Sequence, residues 1–288
     1  MNCNLPKITY PTLRTLLLVE ICQAISQKKD VQVANGAIEC ASHTPNPSNL
    51  AAFRRKPLLK RVTNQTAIAA YRSAIAIQLA AESTQSHTEF VYQVVQFFQI
   101  SVSNSLENEI EKALLRNLTV SSTETGQLEF EFEDGAIALW LQTVLQGCHF
   151  SQHFLPDAKL SENSQIFYCQ YHFARCSALL RLVDLPKVTG QTVEVAWLRD
   201  GKLLLKQERS LVAQIITTLD HWEERSALQL AIALAQAFEI FYRKCQIVKY
   251  NTVDPELAQC RLGLVMITHW LLKQLLEQGM GVLAPETL

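Results

Sequence analysis

The chain has 288 residues, of which 48% are hydrophobic and 18% are charged, so it can bury a sizeable core and is long enough for two domains. This composition excludes wholesale disorder, and no apolar run approaches the roughly 20 residues that a membrane helix needs. The first residues lack the basic start, apolar run and cleavage site of a secretory signal, so we expect a cytoplasmic protein.

The net charge of −1 conceals an uneven distribution along the sequence. Residues 1–61 carry nine Lys and Arg against three Asp and Glu, whereas residues 62–147 carry three against ten. The basic side chains that could form an RNA footprint are Arg54, Arg55, Lys56, Lys60 and Arg61. A dedicated RNA binder usually has a broader basic excess, because phosphate contacts supply most of its affinity. Charge alone therefore neither requires nor excludes RNA binding.

Residues 1–147 combine helical and strand patterns. Apolar or Ala-rich helical spacing predicts helices over 11–28, 66–83, 88–101 and 105–118. The segment KPLLKRV favours a strand, and strict alternation in LEFEF predicts a half-buried strand with its phenylalanines on one face. A further helix is expected from Asp134 to about Gly147. This mixture indicates an α+β domain.

The second part of the chain is dominated by helical patterns. Residues 148–164 are polar and irregular, and we interpret them as a linker. Helices are predicted over 165–183, 205–219, 225–246 and 254–279, with a small hairpin that turns at Asp200 and Gly201. Long helices with few strands favour an all-α bundle over 165–288.

The eight cysteines are scattered and form no C-x-x-C pair, so neither a zinc ribbon nor a thioredoxin-like site is indicated. The densest metal-like group, Cys148 with His149 and His153, has no evident fourth ligand. We therefore expect no metal and no cofactor.

The stretch IFYCQYHFARCSALLR, at 166–181, resembles the Tyr-x-Gln-Tyr-Ala-His-Ala-Arg helix that opens the anticodon-binding domain of arginyl-tRNA synthetases. The family motif is matched at Tyr168, Gln170, Tyr171 and Arg175. A second family motif, Leu-Ala-x-Ala-Phe-x-x-Phe-Tyr-x-x-Cys, is matched up to Tyr242 and Cys245, and the closing helix and tail follow. The resemblance implies a bundle of the class I synthetase (DALR) type at 165–288.

The N-terminal half is similar, more weakly, to the additional domain that precedes the catalytic domain in this family. Family members have the motif Phe-Gly-Asp-Tyr-x-Ser-Asn where this chain has IAAYRSA. Tyr71 therefore matches the motif, while Ala70 and Ala74 replace its Asp and Asn. Alanine has no polar side-chain group, so hydrogen-bond reading of a base there is lost. The resemblance implies such a domain at 1–147.

The catalytic domain of the family belongs between these two parts, where this chain has only residues 148–164. The sequence contains no His-x-Gly-His, no Lys-Met-Ser-Lys-Ser, and no Walker or Rossmann glycine pattern. The resemblance therefore predicts a protein that is not an enzyme and does not use ATP.

The resemblance also implies which residues would contact RNA. Family members stack unpaired anticodon bases on aromatic rings, which places Tyr171, Tyr242, Glu286 and Leu288 at the anticodon loop. Other candidates from the matched helix, the N-terminal motif and the basic segment are Gln170, Arg175, Tyr71, Arg54, Arg55, Lys56, Lys60 and Arg61. We interpret the rings of Phe167, Tyr168 and Phe173 as core.

Two functional hypotheses follow from the sequence. In the first, the chain is a non-catalytic arginyl-tRNA synthetase paralogue that binds tRNA(Arg) or a related RNA, or modulates the synthetase. In the second, the fold is a protein-interaction or assembly subunit, whose partner binds the faces left by the missing catalytic domain.

Overall fold

A computed structural model describes residues 12–26, 59–62, 67–77, 89, 91–92, 95–96, 109–148, 160–182, 195–199, 202–247 and 254–288. The chain divides into two compact units, Pro11–Ile137 and Ala138–Leu288. The expected domain limits at 147 and 165 stay predictions. The basic candidates Arg54, Arg55 and Lys56 lie outside the described residues, as do His149, His153 and most of the expected linker.

The described part of the first unit includes helices and a small antiparallel sheet. Helix α1 is Leu13–Ser26 and helix α2 is Glu109–Arg116. Four strands are arranged in the order β1-β2-β4-β3, and their bounds are β1 Lys60–Val62, β2 Ala69–Ser73, β3 Leu118–Ser122 and β4 Leu128–Phe132. The predicted α+β class is confirmed for this unit.

Strand β4 follows its alternating sequence. Leu128, Phe130 and Phe132 are buried, whereas Glu129 and Glu131 lie on the other face at intermediate exposure. The ring of Tyr71 on β2 contacts Phe132 edge to face, with centroids 6.2 Å apart. Full burial of one such side chain stabilises a fold by roughly 1.5–3 kcal/mol, so this row supplies the main apolar face of the sheet.

One helix prediction in this unit was wrong, and another extended two residues too far. The Ala-rich segment 66–83 was expected to be helical, but Ala69–Ser73 forms β2, hydrogen-bonded between β1 and β4. The helix expected over 105–118 ends at Arg116, and Leu118–Ser122 pairs with β4 as β3. In both places strand pairing outweighs local helix propensity, which is a weak prior.

Helix α3, Asp134–Gly147, leads into the second unit. The helices that follow are α4 Ser164–Leu182, α5 Lys206–Asp220, α6 Ala227–Lys244 and α7 Pro255–Gln274, which continues as a π-helical turn at Leu275–Gly279. Helix α4 packs on α6 and α7, and α5 packs on the same two helices. The predicted helical bundle is confirmed.

Capping residues begin two of the bundle helices where the sequence signals them. The Ser226 hydroxyl accepts a hydrogen bond from the backbone N–H of Gln229 at the start of α6. The Asp254 carboxylate does the same for Leu257, with Pro255 at the first turn of α7. Each such cap is worth about 1 kcal/mol, because it satisfies an otherwise unpaired N–H group.

The small hairpin is present as β5 Leu198–Arg199 paired with β6 Lys202–Leu203, which confirms its predicted place. Just before it, Trp197 donates from its indole N–H to the Gln142 side-chain oxygen. The Trp197 ring also lies against Gly263 of α7, where an added Cβ would come within 2.7 Å of a ring carbon. A glycine is therefore required for this close approach.

Within the described part of the chain, no helix has the length and apolar character needed to cross a bilayer.

Candidate nucleic-acid interface

Three of the predicted site residues meet at the surface between α4 and α6. Tyr171 and Arg175 are one turn apart on α4, so their side chains share a face, and Tyr242 projects from α6. An Arg175 N–H group donates a hydrogen bond to the Tyr171 hydroxyl. The Arg175 guanidinium carbon lies 5.3 Å from the centre of the Tyr171 ring and 4.5 Å from that of Tyr242. We call Tyr171, Arg175 and Tyr242 the ring–arginine cluster.

His172 lies buried behind this cluster. Its ring contacts those of Tyr168, Tyr171 and Phe238 edge to face, with centroids 4.5, 5.2 and 6.1 Å away. Burial lowers the pKa of His172 to about 4, because a charged imidazolium would lose its hydration. The imidazole is therefore neutral near pH 7 and supports Tyr171 as an apolar ring.

A series of polar contacts also joins α4 to α6. The Tyr168 hydroxyl donates to the Glu239 carboxylate at 2.7 Å, and Glu239 also pairs with Arg243 one turn further along α6. Burial raises the pKa of Tyr168, and the hydrogen bond from Tyr168 lowers that of Glu239. Tyr168 thus keeps its proton and joins α4 to α6 as a structural residue.

The C-terminal tail runs back along α4. Gly281 has a φ of 65°, a left-handed conformation that favours glycine, and it turns the chain after the π-helical turn. The Gln170 amide then donates to the carbonyl of Leu283 at 2.9 Å, and Arg181 donates to the carbonyl of Glu286 at 3.0 Å. The tail is therefore held beside the helix that carries Tyr171.

The predicted candidates in the bundle differ in what they offer a ligand. Tyr171, Arg175 and Tyr242 are partly exposed, and Glu286 and Leu288 end the tail with Leu288 exposed. Gln170 is buried, and its amide oxygen accepts from the backbone of Ser161 while its nitrogen binds the tail. This burial argues against the expected contact of Gln170 with RNA.

The candidate RNA-binding residues of the first unit also differ in their exposure. Tyr71 has no exposed surface, so its ring has no free face for a base, and its expected RNA contact is not supported. Arg61 donates to the carbonyl of Ile68 at 2.8 Å. Lys60 is exposed, opposite Arg72, which pairs with Glu129 at 3.0 Å. Of these, Lys60 is the cation best placed to meet a phosphate.

The sequence interpretation missed one exposed ring. Phe167 was expected in the core, but it is 40% exposed, while Phe173 is buried and stacks on His269 with centroids 4.4 Å apart. The sequence signal for its exposure is that Phe167 lies four residues before Tyr171 and therefore shares its face of α4, where Tyr171 is 37% exposed. Helical spacing by itself does not show which of two adjacent helix faces is covered by other helices.

The second unit is thus a helical bundle with an aromatic and arginine-containing surface and a tail held along one helix. Residues 169–288 match the family described as the DALR anticodon binding domain. This part of the chain is a DALR anticodon-binding domain, as its sequence predicted.

The chain is similar to several arginine–tRNA ligases. It is 31% identical over 139 residues to that of Synechococcus sp. (strain JA-3-3Ab), a match that covers 45% of this chain and 23% of the ligase. It is 32% identical over 136 residues to the ligase of Moorella thermoacetica, a match that covers 44% of this chain and 23% of the ligase. It is 26% identical over 193 residues to the ligase of Gloeobacter violaceus, a match that covers 62% of this chain and 31% of the ligase. The chain spans about a quarter to a third of the length of these relatives.

Proposed function

We propose that this protein is a non-catalytic relative of arginyl-tRNA synthetase that binds the anticodon arm of tRNA(Arg) or of a related RNA. The observation that carries the proposal is the ring–arginine cluster, which lies partly exposed on a DALR anticodon-binding domain. Its likeness to arginine–tRNA ligases supports tRNA as the class of ligand.

The chemistry of this surface suits an unpaired base. One base stacked on an aromatic ring contributes about 1–3 kcal/mol, and Tyr171 keeps one part of its ring exposed for this. Helix α4 carries Arg175 and Arg181 and contains no Asp or Glu, so it attracts a polyanion. Arg175 stacks on the rings and supplies the positive charge beside them.

The protein is proposed to act without aminoacylation. The sequence has none of the ATP-binding motifs of the family, so we expect the chain to hold tRNA and to modulate its use by the synthetase. A cytoplasmic location is part of the proposal, because tRNA charging takes place where translation does.

The proposal is tested by fluorescence anisotropy with a tRNA(Arg) transcript and with total tRNA, each at low and at high salt. We expect saturable binding that weakens as salt rises, since phosphate contacts release counterions. Exchange of pyrophosphate into ATP in the presence of arginine should stay at background. Lack of any binding at low salt would contradict the proposal that the protein binds RNA. Arginine-dependent exchange would contradict the proposal that it is non-catalytic.

Single substitutions place the binding surface. Tyr171→Ala and Tyr242→Ala are each expected to weaken tRNA binding about 5-fold or more, because each removes a stacking ring. Ile240→Ala is the matched control, since Ile240 is an exposed apolar residue of α6 outside the ring–arginine cluster. Equal affinities for all three variants would place the RNA elsewhere on the chain.

The basic segment gives a separate test. Replacing Arg54, Arg55 and Lys56 with Ala should reduce the slope of log affinity against log salt, by about one for each phosphate contact that is lost. An unchanged slope would mean that this segment makes no phosphate contact.

A protein-interaction function is the second candidate. Leu160, Leu182 and Ile240 are exposed apolar residues that a protein partner would contact under this hypothesis. If RNA does not bind, a pull-down with the wild-type chain and with Leu182→Ala is the informative comparison. Loss of a specific partner with the variant would support this function.

A further inference from the structure

Phe167 and Tyr171 form a pair of exposed rings on α4. They are four residues apart, so their Cβ atoms are about 6 Å apart on one face of the helix. Phe167 is 40% exposed and Tyr171 is 37% exposed, whereas Phe173 is fully buried. About two fifths of the Phe167 surface is therefore left open to solvent.

One cation lies beside the ring pair. Arg175 is one turn beyond Tyr171, and α4 contains no carboxylate side chain. The Glu239 carboxylate of α6 is paired with Tyr168 and Arg243. An aromatic pair bordered by an arginine fits nucleic acid better than an apolar peptide, because bases stack on the rings while a phosphate meets the cation.

We propose that Phe167 is a second base-stacking ring, so that α4 receives two neighbouring unpaired nucleotides, one on Phe167 and one on Tyr171. This inference rests on the proposed RNA-binding function and adds to it a residue outside the matched family motif and a definite class of ligand.

Stacking on exposed rings selects unpaired RNA bases. A base inside an RNA duplex is stacked between its neighbours and has no free face for a protein ring, whereas a loop base can be splayed out onto one. The site accordingly takes loop nucleotides and excludes paired ones.

The test compares variants of the full chain in equilibrium binding to a tRNA(Arg) transcript and to a blunt-ended RNA duplex. Phe167→Ala is expected to weaken tRNA binding about 5-fold or more, and Phe167→Trp to restore it, since any ring can stack. Phe167→Leu keeps the apolar character without a ring and should bind as weakly as Phe167→Ala. Affinity for the duplex should be the same for all three.

Leu182→Ala is the matched control, because Leu182 is 67% exposed on the same helix but is aliphatic. It is expected to leave tRNA affinity unchanged. Full affinity of Phe167→Leu, or an equal loss with Leu182→Ala, would overturn base stacking in favour of an apolar docking surface. Thermal unfolding followed by circular dichroism checks that each variant is folded, which the exposure of Phe167 leads us to expect.

The outcomes separate this inference from the proposed function. If Tyr171→Ala weakens tRNA binding and Phe167→Ala does not, Phe167 is not a base-stacking residue, and the proposed binding surface at Tyr171 is retained. If the wild-type chain binds no tRNA, the proposed function fails and this inference fails with it.

Discussion

The guanidinium of Arg175 lies over the Tyr242 ring at 4.5 Å and thereby joins α4 to α6 at the surface of the bundle. The same side chain donates a hydrogen bond to the Tyr171 hydroxyl, so one arginine fixes two rings from two helices. This contact orders the ring–arginine cluster before any ligand arrives, which lowers the entropy lost on binding.

Arg175→Lys should weaken tRNA binding, although it preserves the charge. Lysine lacks the planar group that stacks on both rings, and a cation–π contact of this kind is worth about 0.5–2 kcal/mol. We expect a decrease of roughly 2- to 30-fold in anisotropy titrations, and a similar or larger decrease for Arg175→Ala. Wild-type affinity of Arg175→Lys would mean that charge alone matters at this position.

Removing one partner of the buried pair of Arg261 and Glu208 should strongly destabilise the bundle. The two side chains are almost fully buried, with nitrogen–oxygen distances of 2.9 and 3.0 Å, and Arg261 also binds the carbonyl of Gln246. Glu208→Gln leaves the arginine charge buried without its counter-ion, which costs about 3–5 kcal/mol in the free energy of unfolding. Urea denaturation measures this loss.

Arg243→Ala is the control for that measurement, because Arg243 pairs with Glu239 at the exposed surface. Removing an exposed ion pair is expected to change the free energy of unfolding by at most about 1 kcal/mol. Similar losses for Glu208→Gln and Arg243→Ala would contradict the distinction between the two pairs.

Gly263→Ala should destabilise the contact between α7 and Trp197. The new methyl group would lie 2.7 Å from a carbon of the indole ring, and such overpacking costs typically about 1–3 kcal/mol. The double variant Gly263→Ala with Trp197→Phe should recover part of the loss, because the smaller ring withdraws from the added Cβ. Additive losses in the double-mutant cycle would show that the two positions do not interact.

The stability of the first unit should depend on pH through Glu20. This carboxyl is buried in α1, neither oxygen has a hydrogen-bond partner within the described structure, and Glu111 of α2 lies near enough to repel its charge. Burial first, and Glu111 second, raise the pKa of Glu20 from 4.5 to about 7. A carboxyl that is more basic in the folded state stabilises the fold below its unfolded pKa, and this stabilisation is lost as pH rises towards the folded pKa.

Glu20→Gln removes this titration. Between about pH 5 and about pH 8 the wild type is expected to lose on the order of 2–3 kcal/mol relative to the variant. Hydrogen exchange of the α1 amides isolates the effect from His172 and His269, whose lowered pKa values act in the opposite direction, at acid pH, in the other unit. Parallel pH profiles of the two proteins would contradict a buried, titrating Glu20.

Sequence patterns predicted most of the fold, and the failures have physical causes. The capped helices α6 and α7 were placed to within a few residues, and the alternation of β4 was decisive. Strand β2 was missed because AAYRS carries no alternation of its own and becomes a strand only through pairing with β1 and β4. The high helix propensity of alanine led to the incorrect prediction of a helix at this strand.

The candidate site was predicted in part. The resemblance pointed to Tyr171, Arg175 and Tyr242, and these three do meet. It could not distinguish a side chain that faces solvent from one that is buried in the packing, so it also named Tyr71 and Gln170, which are buried, and interpreted the exposed Phe167 as core. Exposure depends on which helix face the neighbouring helices cover, and a single sequence does not contain that information directly.

The most direct test of the central claim is a hydroxyl-radical footprint of tRNA(Arg) bound to the full chain. We predict protection of the anticodon loop with the wild type and with Ile240→Ala, and weaker protection with Tyr171→Ala at the same subsaturating protein concentration. A complex that leaves the anticodon loop fully cleavable would contradict an anticodon-binding role for this bundle.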